Sequence, residues 1–84
     1  MNTEDKLKEC IISTSGLSID ASMINDNTNL VEELGFHSVL SIKLIVELER
    51  SFGIFFDEDD LNYDLISRYE NLKRNILEKL NTKE

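Results

Sequence analysis

The sequence predicts an all-α fold, an up-down bundle of three long helices and one short helix. Three observations carry this expectation. Apolar residues recur at helical spacing in three separate segments, glycines stand where two of those segments stop, and the chain contains no proline to interrupt them. Its 84 residues, 40% hydrophobic, supply one modest core and no material for a second, so residues 1–84 are expected to form a single domain.

The first segment runs from about Thr3, read as an N-cap, to about Ser15, and spaces Leu7, Cys10, Ile11 and Thr14 on one face before Gly16 ends it. Residues 17–37 show no sustained period. Their apolar side chains, Leu17, Ile19, Ile24, Leu30, Val31 and Leu34, mark an ordered loop rather than a floppy linker, and Asn29 can cap one short turn through Leu34. The second long helix begins at Ser38 and carries Ile42, Leu44, Ile45, Leu48 and Phe52 to a stop at Gly53. Ile54, Phe55 and Phe56 are expected to plug the core ahead of a short turn over residues 57–61. The third long helix is expected to start at Ser67, where Ser67-Arg68-Tyr69-Glu70 has the form of a capping box, and to run through Leu72, Ile76, Leu77 and Leu80.

Charge and composition exclude several functions. Nine Lys and Arg against 17 Asp and Glu leave a net charge of −8, and the longest basic stretch is Lys73-Arg74, so neither a nucleic acid nor an anionic membrane is an expected partner. No apolar run approaches the roughly 18 residues of a membrane span. The N-terminus, Met1-Asn2-Thr3-Glu4-Asp5, is acidic where a signal peptide is basic, which points to a cytoplasmic chain. One cysteine, Cys10, and one histidine, His37, allow no internal disulfide and no Cys- or His-based metal site. Cys10 reads as packing. The run Asp57-Glu58-Asp59-Asp60 is not a calcium loop, because Asn62 and Arg68 stand where its Gly and Glu are needed.

At about 100° per residue, Ile42, Ile45, Leu48 and Phe52 define the core side of the second helix, with Leu44 at its margin. Val39 and Val46 fall more than about 120° from that centre and are expected to face water. Lys43 and Arg50 lie beside them, with Leu40 and Glu47 on the flank. Such a face is either a scatter of surface valines or a transient partner site. Ser38, where the loop becomes this helix, is either an ordinary N-cap or an anchor for an anion such as a phosphodiester, which free amides and the helix dipole would favour. Hydrolase chemistry lacks support: there is no Gly-x-Ser-x-Gly elbow, and the side chain of the adjacent His37 projects in another direction.

The stretch Leu34-Gly35-Phe36-His37-Ser38-Val39-Leu40, with its apolar helix ending in Leu48-Glu49-Arg50-Ser51-Phe52-Gly53-Ile54, resembles the phosphopantetheine attachment region of acyl and peptidyl carrier proteins. There, Leu-Gly-x-Asp/His-Ser-Leu precedes a helix ending in Leu-Glu-x-x-Phe-Gly-Ile. The likeness extends to the long first loop and the acidic third segment, and so covers nearly the whole chain. It implies an acyl-carrier-protein-like bundle in which Ser38 Oγ accepts 4′-phosphopantetheine from coenzyme A, transferred by a separate phosphopantetheinyl transferase. The protein would be a non-catalytic, monomeric carrier, holding acyl, aminoacyl or peptidyl cargo as a thioester.

On the same resemblance, a loading enzyme (adenylation or acyltransferase) and downstream synthetase or synthase enzymes would dock on the second helix. Val39, Leu40 and Val46 would be the apolar part of that surface and Lys43, Glu47 and Arg50 its charged rim. An apolar groove between the second and third helices would suit an acyl chain, and Tyr63 and Tyr69 would cover the cargo or close the bundle. His37 before Ser38, with cations on the docking helix, looks more like the peptidyl carriers of nonribosomal synthetases than like the strongly acidic fatty-acid carriers. The leading reading is a freestanding carrier of aminoacyl or specialised acyl groups. A fatty-acid or polyketide acyl carrier and an unmodified helical interaction domain are the alternatives.

Overall fold

A computed structural model describes residues 2–82 of the chain. It contains α1 (Thr3–Ser15), α2 (Leu30–Leu34), α3 (Ser38–Phe52), α4 (Tyr63–Ser67) and α5 (Tyr69–Thr82), with 3-10 turns at Ala21–Met23 and Glu58–Asp60. The architecture is all-α as the sequence predicts, but the short element expected over residues 57–61 is only a 3-10 turn, the turn expected through Leu34 is the helix α2, and a further short helix, α4, is added.

Local chemistry explains most of the boundaries. Asn2, one residue before the expected Thr3, caps α1 by accepting the Asp5 N–H at 2.7 Å. Asn29 caps α2 as expected: its Oδ1 accepts the Glu32 N–H at 2.8 Å, and its own N–H donates to the Glu33 carboxylate at 2.8 Å. Gly35 then ends α2 in the left-handed conformation, φ 73°, and Ser38 follows three residues on. The turn over Glu58–Asp60 opens on a capping box between Asp57 and Asp60.

The expected capping box at Ser67 does not form. Ser67 is buried and closes α4, its hydroxyl donating to the Asp64 carbonyl at 3.5 Å, and α4 itself starts at an Asn62 cap. Arg68 is extended and forms an antiparallel bridge with Asn29, with the Tyr69 N–H donating to the Thr28 carbonyl at 3.0 Å. A long-range backbone partner thus replaces the local cap, and α5 begins only at Tyr69.

The core sits where α1 lies on α3 and α4 lies on α5, and is filled by Leu7, Ile11, Leu44, Leu48, Leu72 and Ile76, all fully buried. Ile24, Leu30 and Phe36 pin the long connection from beneath, so it is ordered as its apolar residues require. Tyr69 closes the bundle; its hydroxyl donates to Glu4 at 3.2 Å, and burial, with the Glu4 carboxylate second, pushes its pKa up. Lys73 ties the same corner to the connection through Asp26 at 2.7 Å. Cys10 is buried against Ser51.

After Gly53 the side chains alternate: Ile54 and Phe56 point inward, while Phe55, expected in the core, stands 81% exposed. Among the described residues no helix is long and apolar enough to cross a membrane.

Candidate functional site

Helix α3 has two apolar faces. Leu44, Leu48 and Phe52 are buried along one row of i, i+4 positions, and Leu40, half-buried, extends that row toward the N-terminus against the core. Ile42 does not belong to it. The sequence placed Ile42 in the core, yet it stands 64% exposed, and Ile45 is only partly buried. Ile42 instead joins Val39, 66% exposed, and Val46, 49% exposed, at i, i+3, i+7 spacing. Both stripes have helical period, and burial in the folded core marks the Leu40–Leu44–Leu48 row as the inner one.

The structure therefore brings Val39, Lys43, Val46 and Arg50 to the exposed surface of α3, with Glu47 half-buried beside them. Glu47 is engaged by Arg50 at 3.8 Å and by the Ser51 hydroxyl at 3.1 Å. Leu40 packs inward and leaves the outer face; Ile42 takes its place there. The i, i+3, i+7 spacing of Val39, Ile42 and Val46 was the signal for that residue.

Ser38 is the first residue of α3 rather than its N-cap. His37 occupies the cap position with extended backbone and makes no side-chain bond to the first-turn amides, and that turn holds no acidic residue. Helices α1, α2 and α4, by contrast, each have an asparagine cap. The Ser38 side chain is exposed, and its hydroxyl hydrogen-bonds neither His37 nor any other described residue; only its carbonyl is engaged, accepting from the Ser41 hydroxyl at 2.8 Å. A reachable, uncommitted hydroxyl at the positive end of a 15-residue helix fits a covalently held phosphodiester, whose charge the free amides would favour.

Beside Ser38 opens a groove of about 510 Å³, within the range of about 300–1,000 Å³ usual for small-ligand pockets. Ile42, Ile45 and Val46 form one wall, and Leu61, Tyr63 and Ile66 the other; no carboxylate or ammonium group lines it. The second wall comes from the Leu61 segment and from α4, the helix the sequence did not show. A shallower groove of about 470 Å³ lies on the other side of Ile42 and Val46, bounded by Ser13 and Thr14 of α1 and by Lys43 and Glu47. The ridge of α3 thus stands between two grooves.

Known proteins are similar to this chain in sequence. A family model described as "Phosphopantetheine attachment site" matches residues 5–72. The chain is 35% identical over 60 residues to an acyl carrier protein of Nitratidesulfovibrio vulgaris, covering 71% of this chain and 76% of that one. It is likewise 35% identical over 60 residues to an acyl carrier protein of Chlamydia caviae, covering 71% and 75%. With an acyl carrier protein of Campylobacter jejuni it shares 30% identity over 79 residues, covering 88% of this chain and all of the other.

Proposed function

The chain belongs to the phosphopantetheine-binding family of acyl and peptidyl carrier proteins, and on that premise we propose that it carries acyl groups on an arm held by Ser38 Oγ. Members of this family are carriers, and the group they hold covalently is 4′-phosphopantetheine. When attached, it supplies a terminal thiol on which cargo is held as a thioester. The chain's own residues do the rest. Ser38 offers the hydroxyl, and the first-turn amides of α3 favour the negative charge of the phosphodiester. The groove walls shelter the cargo from water.

One observation carries the acyl reading: the free Ser38 hydroxyl borders a groove walled mainly by apolar side chains and by no carboxylate or ammonium group. An alkyl chain gains about 0.8 kcal/mol for each methylene it buries there. The ammonium of an aminoacyl group would be desolvated in the same place with no carboxylate to pair it. The relatives' names support the same cargo class. The peptidyl reading keeps the His37-Ser38 pair in its favour and makes the opposite prediction about the groove.

Enzymes that modify, load and unload the carrier would dock on the outer face of α3, through Val39, Ile42 and Val46, with Lys43, Glu47 and Arg50 around them. The protein itself needs no base or oxyanion hole, because a thioester is reactive by its own chemistry.

The reading is tested by placing an octanoyl-bearing or an alanyl-bearing arm on the protein from the corresponding coenzyme A conjugate. Amide shifts of Ile45, Tyr63 and Ile66 are then compared with those of the arm alone. The octanoyl arm is expected to move all three and the alanyl arm to leave them in place. Equal perturbation by both, or none by the octanoyl arm, would overturn the assignment of the groove to acyl cargo.

A further inference from the structure

Lys43 is the one cation among the described residues without a partner. Lys8 reaches Glu4 at 3.9 Å, Lys73 reaches Asp26 at 2.7 Å and Lys79 reaches Asp60 at 2.8 Å. Lys6 lies over the Phe52 ring at 5.0 Å. Arg50 pairs with Glu47 at 3.8 Å, Arg68 with Glu70 at 4.0 Å, and Arg74 donates to Asn71 at 3.2 Å. In a chain with 17 carboxylates and a net charge of −8, an ammonium left alone is conspicuous. Glu47 is four residues along the same helix, but it is taken by Arg50 and Ser51.

Lys43 is exposed and shares the groove against α1 with Ile42 and Val46. Any protein seated on the Val39–Ile42–Val46 ridge removes water from around that ammonium. A cation buried without an acceptor opposes binding strongly, whereas a facing anion converts it into a source of specificity and faster encounter. The enzyme that modifies Ser38 has little freedom to avoid it: at 1.5 Å per residue, Lys43 lies only about 7.5 Å along the helix from Ser38.

Resting on the carrier reading above, and on the docking face it gives α3, we infer that the phosphopantetheinyl transferase acting on Ser38 places a carboxylate opposite Lys43. The negative charge of the rest of the molecule does not substitute for that contact. It lies in the segments flanking α3, where residues 16–37 and 53–68 each sum to −4, while residues 38–52 are neutral.

The probe is the phosphopantetheinyl transferase of the source organism, with coenzyme A and the full apo-chain as substrates. The readout is kcat/KM for modification of the wild type, Lys43→Gln and Lys43→Glu. Lys43→Glu is expected to lose roughly tenfold and Lys43→Gln a smaller factor, as for a contact charge reversed or removed. The loss should shrink near 1 M salt, where the screening length falls to about 3 Å. Circular dichroism checks the fold, which an exposed and unpaired side chain does not support. If Lys43→Glu is modified as fast as the wild type or faster, the partner is not acidic there and this inference fails while the carrier reading stands. If the wild type itself is not modified, the carrier reading fails, and the inference with it.

Discussion

Replacing Leu44 by Ala and, separately, Ile42 by Ala distinguishes the two faces of α3 by stability alone. Leu44 is fully buried, so truncation removes its whole contribution and leaves a cavity, at a cost of about 2–5 kcal/mol. Ile42 is 64% exposed, so only about a third of the roughly 1.5–3 kcal/mol available from burying such a side chain is at stake. The better helix propensity of Ala returns a few tenths of a kcal/mol, for a net change within about 0.5 kcal/mol. Urea unfolding followed by far-ultraviolet circular dichroism reads the difference. With an m-value of about 1 kcal/mol/M, Leu44→Ala lowers the midpoint by about 2 M or more, and Ile42→Ala shifts it by less than about 0.5 M. Since a domain of 84 residues holds only about 4–13 kcal/mol in total, the first variant approaches the limit of folding. Equal shifts would return Ile42 to the core and remove the ridge on which the docking argument stands.

Gly35 sits at φ 73° with nothing within 4 Å of an added Cβ, so Gly35→Ala should cost about 1–2 kcal/mol through backbone strain alone, read as a lowered thermal midpoint with unchanged helix content. An unchanged midpoint would show that the left-handed turn before Ser38 is not required. The Asp60 carboxyl is held below its ordinary value of 3.8, first by the Lys79 ammonium bonded to it at 2.8 Å and then by the Asp57 backbone. Because the folded state lowers this pKa, its contribution is fully present above about pH 4 and is lost as pH falls through the folded value. Lys79→Met should therefore flatten the acid side of the stability profile, measured as urea midpoints between about pH 2 and pH 6; an acid limb as steep as in the wild type would refute the assignment.

Where the fold was legible, local chemistry and period agreed. The left-handed glycines Gly16 and Gly53 end α1 and α3 where the apolar repeats stop, and Asn29 announces α2 by its cap alone. Two of the misreadings come from a tertiary partner that outweighs a local preference, and a third from shortness. Ser67 has the form of a cap, but the Asn29–Arg68 bridge gives the backbone a distant partner and moves the start of α5 to Tyr69. Helix α4 spans five residues, too few to show a period. On α3 the periodicity admits two apolar stripes, and only packing into the folded core decides which is inner. The position of Ser38 was visible in the motif around it. The groove was legible only in part: the resemblance implies one beside the second long helix with Tyr63 near it, but its far wall, Leu61, Tyr63 and Ile66, comes from a segment whose fold the pattern did not disclose, rather than from the last helix.

The freedom of the Ser38 hydroxyl has a simple physical origin. A serine at the N-cap would have its oxygen bound to an amide of the first turn, and modification would have to break that bond. Gly35 and the buried Phe36 bring the chain in so that His37 takes the cap position and Ser38 is left one residue inside, exposed and unbonded. The exposed ridge adjoins it immediately, so an enzyme that reads α3 finds the reactive position at the end of the surface it grips.

The most direct test of the carrier assignment is the intact mass of the apo-protein after incubation with coenzyme A and a promiscuous phosphopantetheinyl transferase, with Ser38→Ala in parallel. The account predicts the gain of one phosphopantetheinyl group on the wild type and none on the variant, with identical circular dichroism spectra. An unchanged mass for folded wild-type protein, or a gain that survives in Ser38→Ala, would contradict it.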